Sequence, residues 1–335
     1  AGFFLERVPV WLWPVAALMA VRWPYTSLIL FLFTYAWHGF GAGILGPAWQ
    51  DLIARCFPVN RRGTVFGLTS FIGTGVGALG ALVSSRLLAY YDFPWNFFLV
   101  FLTAAIAINV SWIFIALIRE PEQRSVDHED SQSGSWARMG RVVKRDSIFR
   151  SFLAYRVVMV SGAMGTGFLT VTAIQRWAVE DSIVGYFTAV LLLGQTVGSL
   201  LAGMLADRYG HKAPLVLGGM AQVSGFVLAL TSPAPEGFFV VFALVGFAMG
   251  VHMVSGTLVA LEFSEPSRRP TYVGIANTTA GVAGSIAPLI GGWLASVGYQ
   301  TLFSICIVLG AMALVWLLVG VRDPRSRKPP VPAMT

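Results

Sequence analysis

Long, nearly uninterrupted apolar runs constrain this chain more than any other feature of it. A helix needs roughly 20 mostly apolar residues to cross the hydrocarbon core of a bilayer. By that measure the sequence predicts ten spans: Leu5–Val21, Tyr25–Gln50, Gly63–Leu88, Trp95–Ile118, Phe152–Ile174, Val184–Ala206, Ala213–Leu230, Phe238–Phe263, Thr271–Val297 and Thr301–Val321. The runs lack the period-two alternation of barrel strands, and a backbone in lipid must satisfy its own N–H and C=O groups. The expected fold class is therefore all-α, a polytopic transmembrane helical bundle. Composition agrees, since only 12% of the 335 residues are charged, against about 25% in soluble domains.

The formal charge of +7 raises the question of nucleic acid, and the positions of the charges answer it. Lys and Arg stand in short breaks between apolar runs and not along one face or stripe, so nucleic acid is not an expected partner. When the breaks are assigned alternately to two sides, Arg22, Arg86 and Arg176 fall on one side, and the other 20 of the 23 Lys and Arg fall on the opposite side. By the positive-inside rule that side is cytoplasmic and holds both ends of the chain, giving a multi-pass protein expected in the plasma membrane. Cys56 and Cys306 have no partners at metal-ligand spacing, and neither a metal nor a cofactor is expected.

A polar stretch, Arg119 to Arg150, divides four spans from six. This predicts an N-terminal half-bundle over 1–118, a cytoplasmic linker over 119–150, a C-terminal half-bundle over 151–322 and a tail over 323–335. The linker begins acidic and Ser-rich, as flexible linkers do. Its end is basic with Trp136, Met139, Val142, Val143 and Phe149 interleaved, which fits an amphipathic surface helix or a solvated linker end.

One internal repeat is visible. At a shift of 207 residues, Arg61-Arg62-Gly63-Thr64 lies over Arg268-Arg269-Pro270-Thr271, and Gly67 lies over Gly274. Each copy opens the second-last span of its half on the same side, which describes two parallel pseudo-repeats. Six spans in one half imply six in the other. Together with Ala1 in place of a starting Met, this predicts two further helices ahead of the ten present.

The loop after Val184–Ala206 reads Gly203-Met204-Leu205-Ala206-Asp207-Arg208-Tyr209-Gly210-His211-Lys212. It resembles the cytoplasmic loop signature of the major facilitator superfamily, Gly-x-Leu-Ala-Asp-Arg-x-Gly-Arg-Lys, and stands between the second and third spans of a half, as in that family. The resemblance implies a twelve-helix transporter working by alternating access. It also implies that Asp207 meets the start of the span beginning near Gly63 and steadies one conformation. Glu262 is then the expected partner of the basic residues. His211 departs from the usual Arg or Lys, which implies a weaker or pH-dependent contact. Ala287-Pro288-Leu289-Ile290-Gly291-Gly292 resembles a helix-packing element of the family. The glycines after His38 resemble its fourth-span signature without the arginine that the family associates with proton coupling.

Gly41-Ala42-Gly43-Ile44-Leu45-Gly46 and Gly75-Val76-Gly77-Ala78-Leu79-Gly80 match the dinucleotide-binding pattern but lie inside spans, where small residues let helices approach closely. Polar groups at mid-membrane depth are the better functional candidates. The family places the first and fourth spans of each half around a central cavity, which favours His38, Thr170, His252 and Ser255 as substrate-facing, with Gln195 and Asn277 as further candidates. Interhelical hydrogen bonding accounts equally well for any one of them. No carboxylate lies deep in a span, and a fixed anion-binding charge is absent unless Arg156 turns inward. The expected function is secondary active transport of a small, weakly polar or amphiphilic solute, of efflux type, by a monomer, with a coupling ion as a candidate second partner. No catalytic residue is expected. A membrane-embedded lipid or acyl transferase, and a non-transporting sensor or scaffold on the same fold, are the competing readings.

Overall fold

The computed structural model describes residues 2–117, 135–179, 181–263 and 268–321. The acidic first part of the linker and the tail from 323 onward lie outside the described residues. Within the described residues the chain is helical throughout, and eight helical segments are long and apolar enough to cross a membrane. It is a multi-pass membrane protein.

Contacts group the chain into two units, Ala1–Cys56 with Gly75–Arg124, and Phe57–Thr74 with Ser125–Thr335. The first unit opens with α1 (Gly2–Glu6), a 3-10 turn (Val8–Trp11) and α2 (Leu12–Met19). The sequence predicts one span here, from Leu5 to Val21, but the helix is interrupted. Pro9 has no N–H to donate and its ring obstructs the preceding turn, so the chain tightens locally and restarts. The next helix, α3 (Pro24–Cys56), is 33 residues long and carries Pro47 inside it. Ser27 donates to the Ala16 carbonyl at 2.6 Å and ties α3 to α2. The other elements are α4 (Val59–Tyr90), whose early part belongs to the second unit, and α5 (Trp95–Ala116). With 32 residues α4 exceeds a span's length.

The second unit continues with α6 (Ser135–Arg145), α7 (Ser147–Gly162), α8 (Leu169–Trp177), α9 (Asp181–Tyr209), α10 (Lys212–Thr231), α11 (Gly237–Glu262), α12 (Arg269–Val297) and α13 (Tyr299–Gly320). The basic end of the linker thus forms a helix, α6, and Met139 reaches Gly274 of α12. The core of this unit is aromatic and sealed. Phe187, Phe226, Phe238, Leu302 and Phe303 are fully buried, and the Phe187 and Phe242 rings stack at 4.8 Å.

Glycines decide the tightest seam, between α9 and α11. A Cβ on Gly194 or Gly198 would strike the backbone of Ala243 or Phe247, and one on Gly246 or Gly250 would strike that of Leu191 or Gln195. Each helix offers two glycines four residues apart, so both backbones approach without intervening side chains. Of the two dinucleotide-like runs in the first half of the sequence, Gly41 does meet backbone, at Leu5, whereas Gly43, Gly75, Gly77 and Gly80 have open space beside them. Close packing at those four positions is therefore not what the structure shows.

Candidate functional site

The loop end of α9 is built around Asp207. Its Oδ1 accepts from the Gly63 N–H at 2.8 Å and its Oδ2 from the Thr64 N–H at 2.6 Å. A carboxylate near the start of a helix satisfies backbone donors and meets the positive end of the helix dipole. Glycines make the approach possible. A Cβ on Gly63 would lie 2.5 Å from the Gly203 carbonyl oxygen, and one on Gly67 would lie 2.7 Å from that of Ser199. Gly203 therefore serves the motif by bringing α4 against α9, and Asp207 fastens the contact.

The rest of the motif closes the turn. Gly210 has φ +82°, a left-handed conformation that costs an L-residue with a side chain roughly 1–2 kcal/mol. Its N–H donates to the Ala206 carbonyl at 2.9 Å and ends α9. Gly210→Ala is expected to lower stability by about 1 kcal/mol, visible as a small fall in the thermal midpoint. An unchanged midpoint would mean that the turn relaxes freely. Arg208 lies over the Tyr209 ring at 5.2 Å.

His211 and Glu262 face each other at 3.7 Å, both nearly buried. Lys212 does not share that contact. Its Nζ donates to the carbonyls of Val321 at 2.7 Å and Leu318 at 3.1 Å, where a cation complements the C-terminal end of α13. The repeated basic pairs both open helices: Arg61 and Arg62 lie in the first turn of α4, and Arg268 and Arg269 stand at the start of α12. The Arg62 Nε donates to the Phe57 carbonyl at 2.8 Å.

The intramembrane candidates fall in different surroundings. In the first unit His38 donates through Nδ1 to the Glu6 carbonyl at 2.7 Å and meets the Trp13 ring edge-on at 5.5 Å. In the second unit Gln195 on α9 reaches the Met253 sulfur at 3.7 Å, one residue from His252 on α11. Thr170 and Asn277 are half-buried on α8 and α12. The His252 Nε2 and the Ser255 Oγ are buried without hydrogen-bond partners among the described residues.

Arg156, which the sequence reading named as an anion-binding charge on condition that it turns inward, and Tyr155, which it did not single out, join them. Phe152 was the expected start of the span, but Asp146 caps α7 by accepting the Phe149 N–H at 2.9 Å, and the helix begins at Ser147. Arg156 is then the tenth residue of the helix, roughly 13 Å along its axis, with a buried, unpartnered Nη1. The neighbouring Tyr155 is 2% exposed and its hydroxyl is also unpartnered. The Asp146-Ser147 pair, a helix-start signal in the sequence, marks this earlier start. A separate groove of about 690 Å³ between α7, α12 and α13 has an apolar lining apart from Ser161, Thr278 and Thr279. None of the predicted substrate-facing residues lines it.

The family model of the Major Facilitator Superfamily matches twice, over residues 8–179 and 163–334. The chain belongs to that superfamily. As a superfamily member it is similar to the tetracenomycin C resistance and export protein of Streptomyces glaucescens, 29% identical over 172 residues, covering 48% of this chain and 31% of that protein. It is also similar to the 4-hydroxybenzoate transporter of Acinetobacter baylyi, 27% identical over 173 residues, covering 50% of this chain and 37% of the relative. The matched stretches thus span about a third of the length of these curated relatives. In fold, the chain resembles the Escherichia coli fucose:proton symporter with a TM-score of 0.74 at 14% identity, covering 94% of this chain and 82% of that one. The proton:xylose symporter gives a TM-score of 0.71 at 14% identity, covering 95% and 79%.

Proposed function

We propose that this protein is a secondary active transporter that moves a small, weakly polar or amphiphilic solute across the plasma membrane by alternating access. The observation that carries the reading is the Asp207 contact with the Gly63 and Thr64 N–H groups in a superfamily member. Two hydrogen bonds to one carboxylate form a latch that can close and release, which a conformational cycle needs and a static scaffold does not. Membership of this superfamily favours transport over a lipid or acyl transferase. The basic breaks support a latch and chain ends on the cytoplasmic side, and the charged stretch at 119–150 supports a four-span and a six-span half joined by a linker. The relatives named for export and resistance support efflux, and those named as proton symporters support a coupling ion.

The test is flux in proteoliposomes. The wild-type protein is expected to accumulate or release at least one solute from a chemically varied panel under an imposed proton gradient, and Asp207→Ala to slow that flux about tenfold or more. Folded wild-type protein that moves no solute from the panel, with and without the gradient, would favour the sensor or scaffold.

A further inference from the structure

Four buried side-chain atoms of the second unit lack hydrogen-bond partners among the described residues, and all four can donate hydrogen bonds. They are the Nη1 of Arg156, the Oη of Tyr155, the Nε2 of His252 and the Oγ of Ser255. Arg156 and Tyr155 stand on α7, whose Phe152 ring meets that of Phe263 at the end of α11 at 5.1 Å, and His252 stands on α11. Ser255, fully buried, stands three residues beyond His252 on the same side of α11.

The nearby carboxylates are engaged elsewhere. Asp146 caps α7 and accepts from the Tyr272 hydroxyl, Asp207 holds Gly63 and Thr64, and Glu262 faces His211. A guanidinium with a buried nitrogen and no counter-charge among the described residues is costly, and native proteins seldom leave buried donors unmatched. A bound acceptor resolves all four.

We propose that Arg156, Tyr155, His252 and Ser255 bind the carboxylate of an organic monoanion, the solute of the transport cycle, an inference that rests on the transport reading. One fixed positive charge balances one negative charge, which favours a monoanion over a phosphate dianion. The planar guanidinium fork matches a carboxylate's two oxygens, and those oxygens offer about four acceptor positions for the donors present. The sequence alone predicts a neutral cavity; the buried Arg156 Nη1 changes the charge of the occupant.

The experiment measures binding to the purified protein and flux in proteoliposomes, with a panel of aromatic and aliphatic monocarboxylates beginning with benzoate, the matching amides, chloride and inorganic phosphate. At least one carboxylate is expected to bind, with its amide at least tenfold weaker. Arg156→Gln is expected to weaken carboxylate binding about 10- to 100-fold, the loss of a charge-assisted pair, and Arg156→Lys to restore part of it. Tyr155→Phe and Ser255→Ala, which keep the shape of the packing, are expected to weaken it several-fold and serve if Arg156→Gln fails to fold. The inference is overturned if no carboxylate binds, if amides bind as well as acids, if chloride or phosphate competes equally, or if Tyr155→Phe, Ser255→Ala and a folded Arg156→Gln all bind within twofold of wild type. Wild-type flux of neutral solutes that is unaffected by Arg156→Gln would remove the carboxylate site and leave transport standing. Arg156-dependent binding without any flux would do the reverse.

Discussion

Gly250→Leu is expected to separate α9 from α11 and to yield a protein that aggregates or loses its sharp thermal transition on purification. Even a Cβ at this position meets the Gln195 carbonyl and lies 2.6 Å from the Ser199 nitrogen, and both are backbone atoms of a packed helix that cannot step aside as a side chain can. Overfilling a packed core costs typically 1–3 kcal/mol when side chains can adjust. Here two helices must move apart along a seam also held by Gly194, Gly198 and Gly246, so the loss is expected to exceed about 3 kcal/mol. Gly281→Ala on α12 is the control. Nothing lies within 4 Å of its Cβ, and replacing a helix-interior glycine by alanine gains up to about 1 kcal/mol. Equal thermal midpoints for Gly250→Leu and wild type would show that the seam yields and that the glycines there are incidental.

Asp207→Ala is expected to free the first turns of α4 from α9. Hydrogen bonds to an ionised acceptor are worth about 1.5–3 kcal/mol each, less where the partners are part-exposed. Loss of both is expected to cost about 2–4 kcal/mol of local stability. Hydrogen exchange over residues 59–68 should rise by at least tenfold, while exchange in the α9–α11 seam stays constant. Asp207→Asn keeps one acceptor oxygen where the carboxylate has two, and should fall between alanine and wild type. If exchange over 59–68 is unchanged in Asp207→Ala, the Gly63–Gly203 backbone contact alone holds the segment and the latch reading fails.

Much of the fold was legible because a bilayer imposes a local rule: each span must be long and apolar in its own sequence. That is why Trp95–Ile118 and Thr301–Val321 coincide nearly residue for residue with α5 and α13. The first span was less legible, because hydropathy averages over Pro9 whereas the helix cannot. The contact of Asp207 with the segment at Gly63 was anticipated from the loop motif, since one short signature specifies both the carboxylate and the glycines that admit it. The part played by Lys212 was not, because the carbonyls it caps lie more than a hundred residues away on α13.

The sequence by itself determined a helical membrane protein, and the resemblance of its Gly203–Lys212 loop pointed to this superfamily and to an aspartate at the end of α9. The helical membrane fold follows from composition and the length of the apolar runs, and the aspartate from the loop motif. Only the tertiary structure decided which glycines carry the close approaches, and that Arg156, Tyr155, His252 and Ser255 are buried together without partners. The reason is physical: burial and pairing belong to the neighbourhood of a side chain. The Arg156 Nη1 is buried with no partner among the described residues, a fact that no reading along the chain supplies.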